Sequence, residues 1–250
     1  MTDAAETLSA ADQAARTSTE AGPSGVAGRL VLIAGATSAA GEAVARALTA
    51  AGATVVAVGT RLEALDALAA AVPGVATRAC DLADADAVDA LAADLHGSLG
   101  HVDGLIHLVG GWRGGGGLAG QSDEDWEFLE RGFRTLRNTT RAFFDDLVAS
   151  PAGRLAIVSS TAVEKPYPGG ANYAAAKAAA DAWVRAVASG FAKQAPQSAA
   201  TVFVVKSLAG LEPRLAHEVV ALWAASATDV NGRRIPLDPA SATNTERMES

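Results

Sequence analysis

The chain has 250 residues, half of them apolar, only 5% aromatic, and a formal charge of −8. That length allows one large α/β domain with a sizeable core, and the acidic balance argues against a nucleic-acid surface, which needs a basic face to replace released counterions. Cys80 is the only cysteine, so no internal disulfide or multi-cysteine zinc site exists; His96, His101, His107 and His217 lack ligand spacing, and no metal centre is expected.

Residues 1–27, rich in Ala, Ser, Thr and Gly without sustained apolar periodicity, read as a mobile arm. No apolar run approaches the roughly 18 residues of a membrane span, and the start lacks the basic-then-apolar order of a secretory signal. A cytoplasmic protein without membrane contact is expected. From Arg29 onward, β-rich runs alternate with Ala/Leu-rich segments of helical period. Strands are predicted at 30–34, 54–58, 75–78, 104–109, 154–158, 201–205 and 234–237. Helices are predicted to begin near Ala40, Leu62, Asp84, Asp123, Asn172 and Arg214. In the helix after Asp84, Val88, Leu91 and Leu95 recur at spacings of three and four, giving one apolar face. Right-handed crossovers then put helices on both faces of one sheet. The expected fold is α/β: a doubly wound, Rossmann-like, seven-stranded parallel sheet in a single domain over 28–238, with 239–250 as a tail.

The run from Leu30 to Glu42 passes from a buried strand through small residues into a helix. Such a turn lets backbone N–H groups and a helix N-terminus approach a pyrophosphate closely. Gly35 and Gly41 supply the backbone freedom or close approach, with Thr37, Ser38 and Ala40 between and beside them. Ala39 stands where a three-glycine pattern has its middle glycine, and its methyl narrows the pyrophosphate path. The second strand runs into Val58-Gly59-Thr60-Arg61 with no carboxylate for ribose hydroxyls, which favours NADP over NAD, with Thr60 and Arg61 meeting a 2′-phosphate. After the third strand, Asp81 either contacts the adenine or caps the following turn, with Leu82 beside it.

Tyr173 and Lys177 lie four apart in a segment of helix formers, so phenol and ammonium share a helix face. An adjacent ammonium favours the phenolate, which otherwise forms near pH ~10. Ser159 and Ser160 follow the fifth strand, where a hydroxyl meets the carboxyl edge of the sheet and can hold a carbonyl oxygen as it gains charge.

Together Gly35, Gly41, Asp81, Gly110, Ser160, Tyr173 and Lys177 resemble the short-chain dehydrogenase/reductase family, in which a serine lies thirteen residues before the tyrosine of Y-x-x-x-K. Ser160 has that spacing and Ser159 is one step off. The resemblance implies an NAD(P)-dependent oxidoreductase acting on a carbonyl or secondary alcohol. Tyr173 passes the proton, Lys177 holds the nicotinamide ribose and lowers the phenol pKa, and Ser160 fixes the carbonyl. It also implies a homodimer or homotetramer built on the two long helices, where Trp183 and Phe191 serve the interface or the core.

Three departures from the family stand out. His107-Leu108-Val109-Gly110 replaces N-N-A-G, leaving His107 as a core residue or a cofactor contact. Gly132 occupies the position of the family's relay asparagine; Asn138, six residues on, cannot substitute across nearly two helical turns. Finally, 206–213 runs from the sixth strand almost directly into a helix, so the usual substrate lid is short. The glycine-rich 110–120 stretch, with Trp112 and Arg113, either folds over the site instead or is a surface loop. These departures motivate an alternative reading, a catalytically weak dinucleotide-binding sensor or scaffold; an isomerase or dehydratase on the same fold is a third.

Overall fold

Parallel strands buried on both faces read as unbroken apolar runs, and the first strand, Leu-Val-Leu-Ile-Ala, is buried at every position. The computed structural model describes residues 25–238. Its strands are β1 Leu30–Ala34, β2 Thr54–Gly59, β3 Ala76–Ala79, β4 Gly104–His107, β5 Arg154–Ser160, β6 Ala199–Val205 and β7 Arg234–Pro236. They form one sheet in the order β3-β2-β1-β4-β5-β6-β7, every pair parallel. The helices are α1 Ala39–Ala50, α2 Leu62–Ala71, α3 Ala85–Ser98, α4 Asp123–Ala149, α5 Ala171–Gln194, α6 Glu212–Ala221 and the short α7 Ala227–Val230.

Alternation along each strand divides the core into two layers. Val31 and Ile33 pack with Val44 and Leu48 of α1, Leu65 of α2, and Leu215 and Val219 of α6. Leu30 and Leu32 face Leu91 and Leu95 of α3, Phe143 of α4 and Phe191 of α5. The doubly wound architecture is therefore as expected. Strand order reverses between β1 and β4, and ligands of such sheets bind in the crevice beyond the strand ends at that point. Here the crevice lies between Gly35 and Leu108, whose N–H donates to Ala34 O (2.8 Å).

Boundaries differ in instructive ways. β5 extends two residues beyond the predicted end, so Ser159 and Ser160 belong to the strand, paired in register with Val204 and Val205. β4 ends at His107, and β3 is displaced by one residue from its predicted span. α7 was not predicted, because four residues are too short to show apolar periodicity. Phe191 is fully buried and stacks on Phe144 at 5.4 Å, while Trp183 donates its indole N–H to Thr140 Oγ1 (2.8 Å); within the chain both join α5 to α4. The expected arm and tail lie outside the described residues except for Gly25, Val26 and Ala27, of which Val26 is buried.

Candidate active site

The turn after β1 is shaped by what cannot fit beside it. Gly35 has φ +80°, and a Cβ there would lie 2.9 Å from Val109 N. A Cβ on Gly41 would run into the Ala36 carbonyl. Any side chain at either position would push the first turn of α1 away from the crevice. Ser38 caps α1: its Oγ accepts from Gly41 N (3.0 Å) and donates to Gly35 O (3.2 Å). The positive end of the helix thus faces a cavity of about 690 Å³, lined there by Ser38, Ala39 and Ala40. The cradle fits a pyrophosphate.

Thr37 and Arg61 meet beyond the ends of β1 and β2, with Arg61 Nη2 3.3 Å from Thr37 Oγ1. Arg61 and Thr60 are exposed, and Arg61 makes no ion pair among the described residues. Asp81 is already engaged. Its carboxylate accepts from Ala83 N (3.0 Å) and from Arg131 Nη2 (2.6 and 2.7 Å), and the Ala83 amide, followed by Arg131, holds its pKa below the ordinary value. Of the two expected roles, this geometry is that of a turn cap. Leu82 is buried, and its carbonyl accepts from Asn138 Nδ2 (3.0 Å), which ties the middle of α4 to the turn after β3.

At the other end of the same cavity β5 delivers Ser160, and α5 delivers Tyr173 and Lys177. Ser159 points elsewhere, fully buried. Ser160 Oγ accepts from Ala162 N (3.1 Å) and lines the cavity beside the Tyr173 hydroxyl. Burial pushes the Tyr173 phenol above its usual pKa, and the Ser160 contact offsets this only in part. This differs from the expectation that Lys177 lowers it. The reason is geometric: the ammonium lies 5.9 Å from the phenol ring centroid and donates to Val158 O (2.8 Å). Lys177 itself, desolvated and only partly compensated by Asp181, is brought down to about 8. Gly110 borders it, with a φ of +154° that side-chain-bearing residues rarely adopt.

Sequence reasoning left several neighbours unassigned. His107 Nε2 lies 2.8 Å from Thr135 Oγ1, which donates to Gly132 O (2.7 Å). Burial, followed by the Lys177 charge, depresses the His107 pKa to about 3, so the imidazole is neutral. A second cavity, about 30 Å³, is lined by His107, Gly132, Tyr173 and Lys177. It has room for one water. The 110–121 segment rests on the turn before α5: Gly115 N donates to Gly169 O (2.7 Å), and Arg113 sits 4.0 Å over the Phe128 ring. Trp112 lines the large cavity together with Lys165, Tyr167, Lys206 and Glu212. The proximity of 110–121 to 168–170 had no local signal in the sequence.

At the opposite edge of the sheet, folding brings His96, His101 and Asp146 within 4.8 Å of one another. Each imidazole takes one oxygen of Asp146 at 2.8 Å, and Val102 N takes one at 3.0 Å.

The short chain dehydrogenase family model matches residues 29–212. The chain belongs to that family. Among curated proteins, 2,3-dihydro-2,3-dihydroxybenzoate dehydrogenase of Bacillus subtilis is 29% identical over 161 residues, covering 62% of this chain and 61% of that protein. The chain thus spans less than two thirds of that relative's length. A metagenomic short-chain oxidoreductase solved with NADP superposes with TM-score 0.76 at 25% identity, covering 86% of this chain and 99% of that one. Gluconate 5-dehydrogenase of Burkholderia cenocepacia, solved with NADP and tartrate, gives 0.74 at 22% identity over 85% and 94%. An NADPH-bound short-chain oxidoreductase of Pseudomonas aeruginosa with an atypical catalytic centre gives 0.74 at 22% over 84% and 95%. The last two likenesses concern the fold alone. The cavity of this short-chain dehydrogenase family member suits a nicotinamide dinucleotide. Among the described residues, no helix is long and apolar enough to cross a membrane.

Proposed function

We propose that this short-chain dehydrogenase interconverts a carbonyl compound and a secondary alcohol, using NADP(H) in preference to NAD(H), with Ser160, Tyr173 and Lys177 as its catalytic residues. The observation that carries this reading is one continuous cavity running from the N-terminus of α1 to Ser160, Tyr173 and Lys177, all three of which line it. Gly35, Thr37, Ser38, Ala40, Gly41 and Gly110 would shape the cofactor's path. Thr60 and Arg61, with no acid at the end of β2, would receive a 2′-phosphate, and Asp81 and Leu82 would bound the adenine side.

When bound, a nicotinamide cofactor would provide the hydride chemistry. The chain's own residues handle the proton. The Tyr173 phenol, protonated at neutral pH and pushed further above its ordinary pKa by burial, is suited to donate to the carbonyl oxygen during reduction. Ser160 Oγ–H lies beside that phenol and would hold the same oxygen as negative charge develops. Once the proton has left, the Lys177 ammonium, 5.9 Å from the phenol ring centroid, would favour the phenolate, and it would also hold the nicotinamide ribose. In the reverse direction the same phenolate accepts the alcohol proton. We infer a homodimer or homotetramer, supported by the half-exposed Trp126 and Phe128 on α4.

The test is turnover of carbonyl substrates followed by NADPH absorbance. Wild type is expected to turn over and Tyr173→Phe to lose at least about 100-fold in kcat, the size of a missing general acid. Equal rates would remove Tyr173 from the mechanism. Calorimetry with NADPH and NADH tests the preference, and tighter NADH binding would reverse it.

A further inference from the structure

The chain carries sixteen arginines and only four lysines, yet three of those lysines, Lys165, Lys177 and Lys206, line the 690 Å³ cavity, and no arginine does. Both tyrosines of the chain, Tyr167 and Tyr173, line it too. In a protein of net charge −8 this is a local concentration of positive charge. Lys177 belongs to the catalytic set. Lys165 and Lys206 do not.

Their positions follow from the sheet. Ser160 pairs in register with Val205, so Lys206 is the first residue beyond β6 at the level where Ser160 ends β5. Lys165 follows five residues after Ser160, just past the short 3₁₀ turn Thr161–Val163. Glu164, next to Lys165, pairs instead with Arg234 (3.2 Å), and Glu212, the only carboxylate lining the cavity, accepts from Gly210 N (2.8 Å). Among the described residues neither lysine makes an ion pair. Trp112 and Tyr167, 55% and 48% exposed, add two aromatic side chains to the same wall.

We infer that the substrate of this site is a carbonyl or hydroxy compound bearing an organic anion, a carboxylate in its simplest form, held by Lys165 and Lys206 while its apolar body rests on Trp112 and Tyr167. The inference rests on the carbonyl-reductase reading above and narrows it. The cofactor's own phosphates are the other anions within reach. They already have places at the α1 N-terminus and at Arg61, on the β1–β2 side, whereas the two lysines flank β5 and β6, beyond β4.

Two measurements test this. Benzoate and benzamide are titrated calorimetrically into the protein saturated with NADPH, using wild type and Lys165→Met/Lys206→Met, whose exposed positions leave the fold intact as checked by circular dichroism. Benzoate is expected to bind wild type about tenfold more tightly than benzamide, a discrimination the double variant loses and 0.5 M salt weakens. Equal binding of the two probes, or no benzoate binding, overturns the inference. Kinetics then compare aryl keto acids with their methyl esters. A preference for the acids of about tenfold in kcat/KM, abolished in the double variant with the KM for NADPH unchanged, supports the substrate role. An equal loss for acid and ester together with a raised NADPH KM assigns the lysines to the cofactor and overturns it. Discrimination of benzoate without turnover of any carbonyl would sink the reductase reading and leave the anion site standing; turnover of esters and acids alike would do the reverse.

Discussion

At the scale of single residues, Lys177 is a half-buried ammonium with one hydrogen-bond partner among the described residues, Val158 O, and a small cavity at its side. Its pKa of about 8 lies below the ordinary lysine value, so it loses its charge within the working range, before the raised Tyr173 phenol does. The rate profile of kcat/KM for reduction is therefore expected to fall above pH ~8, and a limb beginning only above pH ~10 would show that Lys177 is not what titrates. Gly132 invites a second measurement. A Cβ there makes ordinary contacts, 3.6 Å to Val109 O and 3.7 Å to Gly110 Cα, and enters the small cavity. Gly132→Ala is expected to stabilise the protein by about 0.5–1 kcal/mol through helix propensity. It is also expected to slow turnover several-fold by displacing a water beside Lys177; urea titration and kcat together check this, and a gain in stability with kcat unchanged would leave that cavity without a catalytic role. Ser160, Tyr173 and Lys177 were legible because helical period and strand position are properties of the local chain. The contact of His107 with Thr135, and its approach to Lys177, were not, since they depend on how closely α4 and α5 settle against β4.

At the scale of elements, the connector after β6 is only six residues, 206–211, before α6 begins. The glycine-rich 110–121 segment takes over part of the cover, and Gln121 anchors it. Its amide nitrogen lies 2.9, 3.1 and 3.2 Å from the carbonyls of Gly115, Gly117 and Gly169, and its Oε1 accepts from Asn172 N (3.1 Å) at the start of the Tyr173 helix. Removing these bonds leaves the strands untouched and frees the segment that carries Trp112. Gln121→Ala is thus expected to raise KM for the substrate several-fold with little change in Tm, and hydrogen exchange in 111–120 to accelerate about tenfold, the equivalent of one net hydrogen bond of about 1–1.5 kcal/mol. Unchanged exchange would show that the loop is held by something other than Gln121. The sequence pointed to this loop through its glycines and left open whether it covers the site. What it lacked was the partner, a turn nearly fifty residues away. Element boundaries erred for a related reason: β5 continues through Ser159 and Ser160 because β6 is there to pair with them, a tertiary fact that strand propensity does not contain.

At the scale of the molecule, the two edges of the sheet do different work. The carboxyl edge carries the cavity, whereas the amino edge is a belt of buried or paired polar groups. Arg154 donates to the carbonyls of Leu222 (2.8 Å), Gln197 (2.9 Å) and Ala225 (3.2 Å), Asp103 accepts from Leu30 N (3.0 Å), and Asp146 holds His96 and His101. Burial opposes ionisation of Asp146, but the Val102 amide and the two imidazoles outweigh it and hold its pKa below the usual value. A carboxylate depressed in this way contributes stability above its unfolded pKa and loses it as pH falls through the folded one. His107 acts earlier in the same direction. Its folded pKa of about 3 lies below the unfolded 6.5, so the unfolded chain binds the proton first and stability declines as pH drops from 6.5 toward 3. Between pH 7 and pH 5 that group alone accounts for a loss of about 2 kcal/mol. Urea unfolding at the two pH values is expected to show it in wild type and to show most of it gone in His107→Gln, which keeps a hydrogen-bonding group facing Thr135 but has no proton to gain. Asp146 does not confound the comparison, because its depressed carboxyl stays ionised at pH 5 in the folded protein and largely so in the unfolded chain. If the variant lost as much stability over that interval as wild type, the imidazole buried behind Lys177 would not be the source of the acid sensitivity.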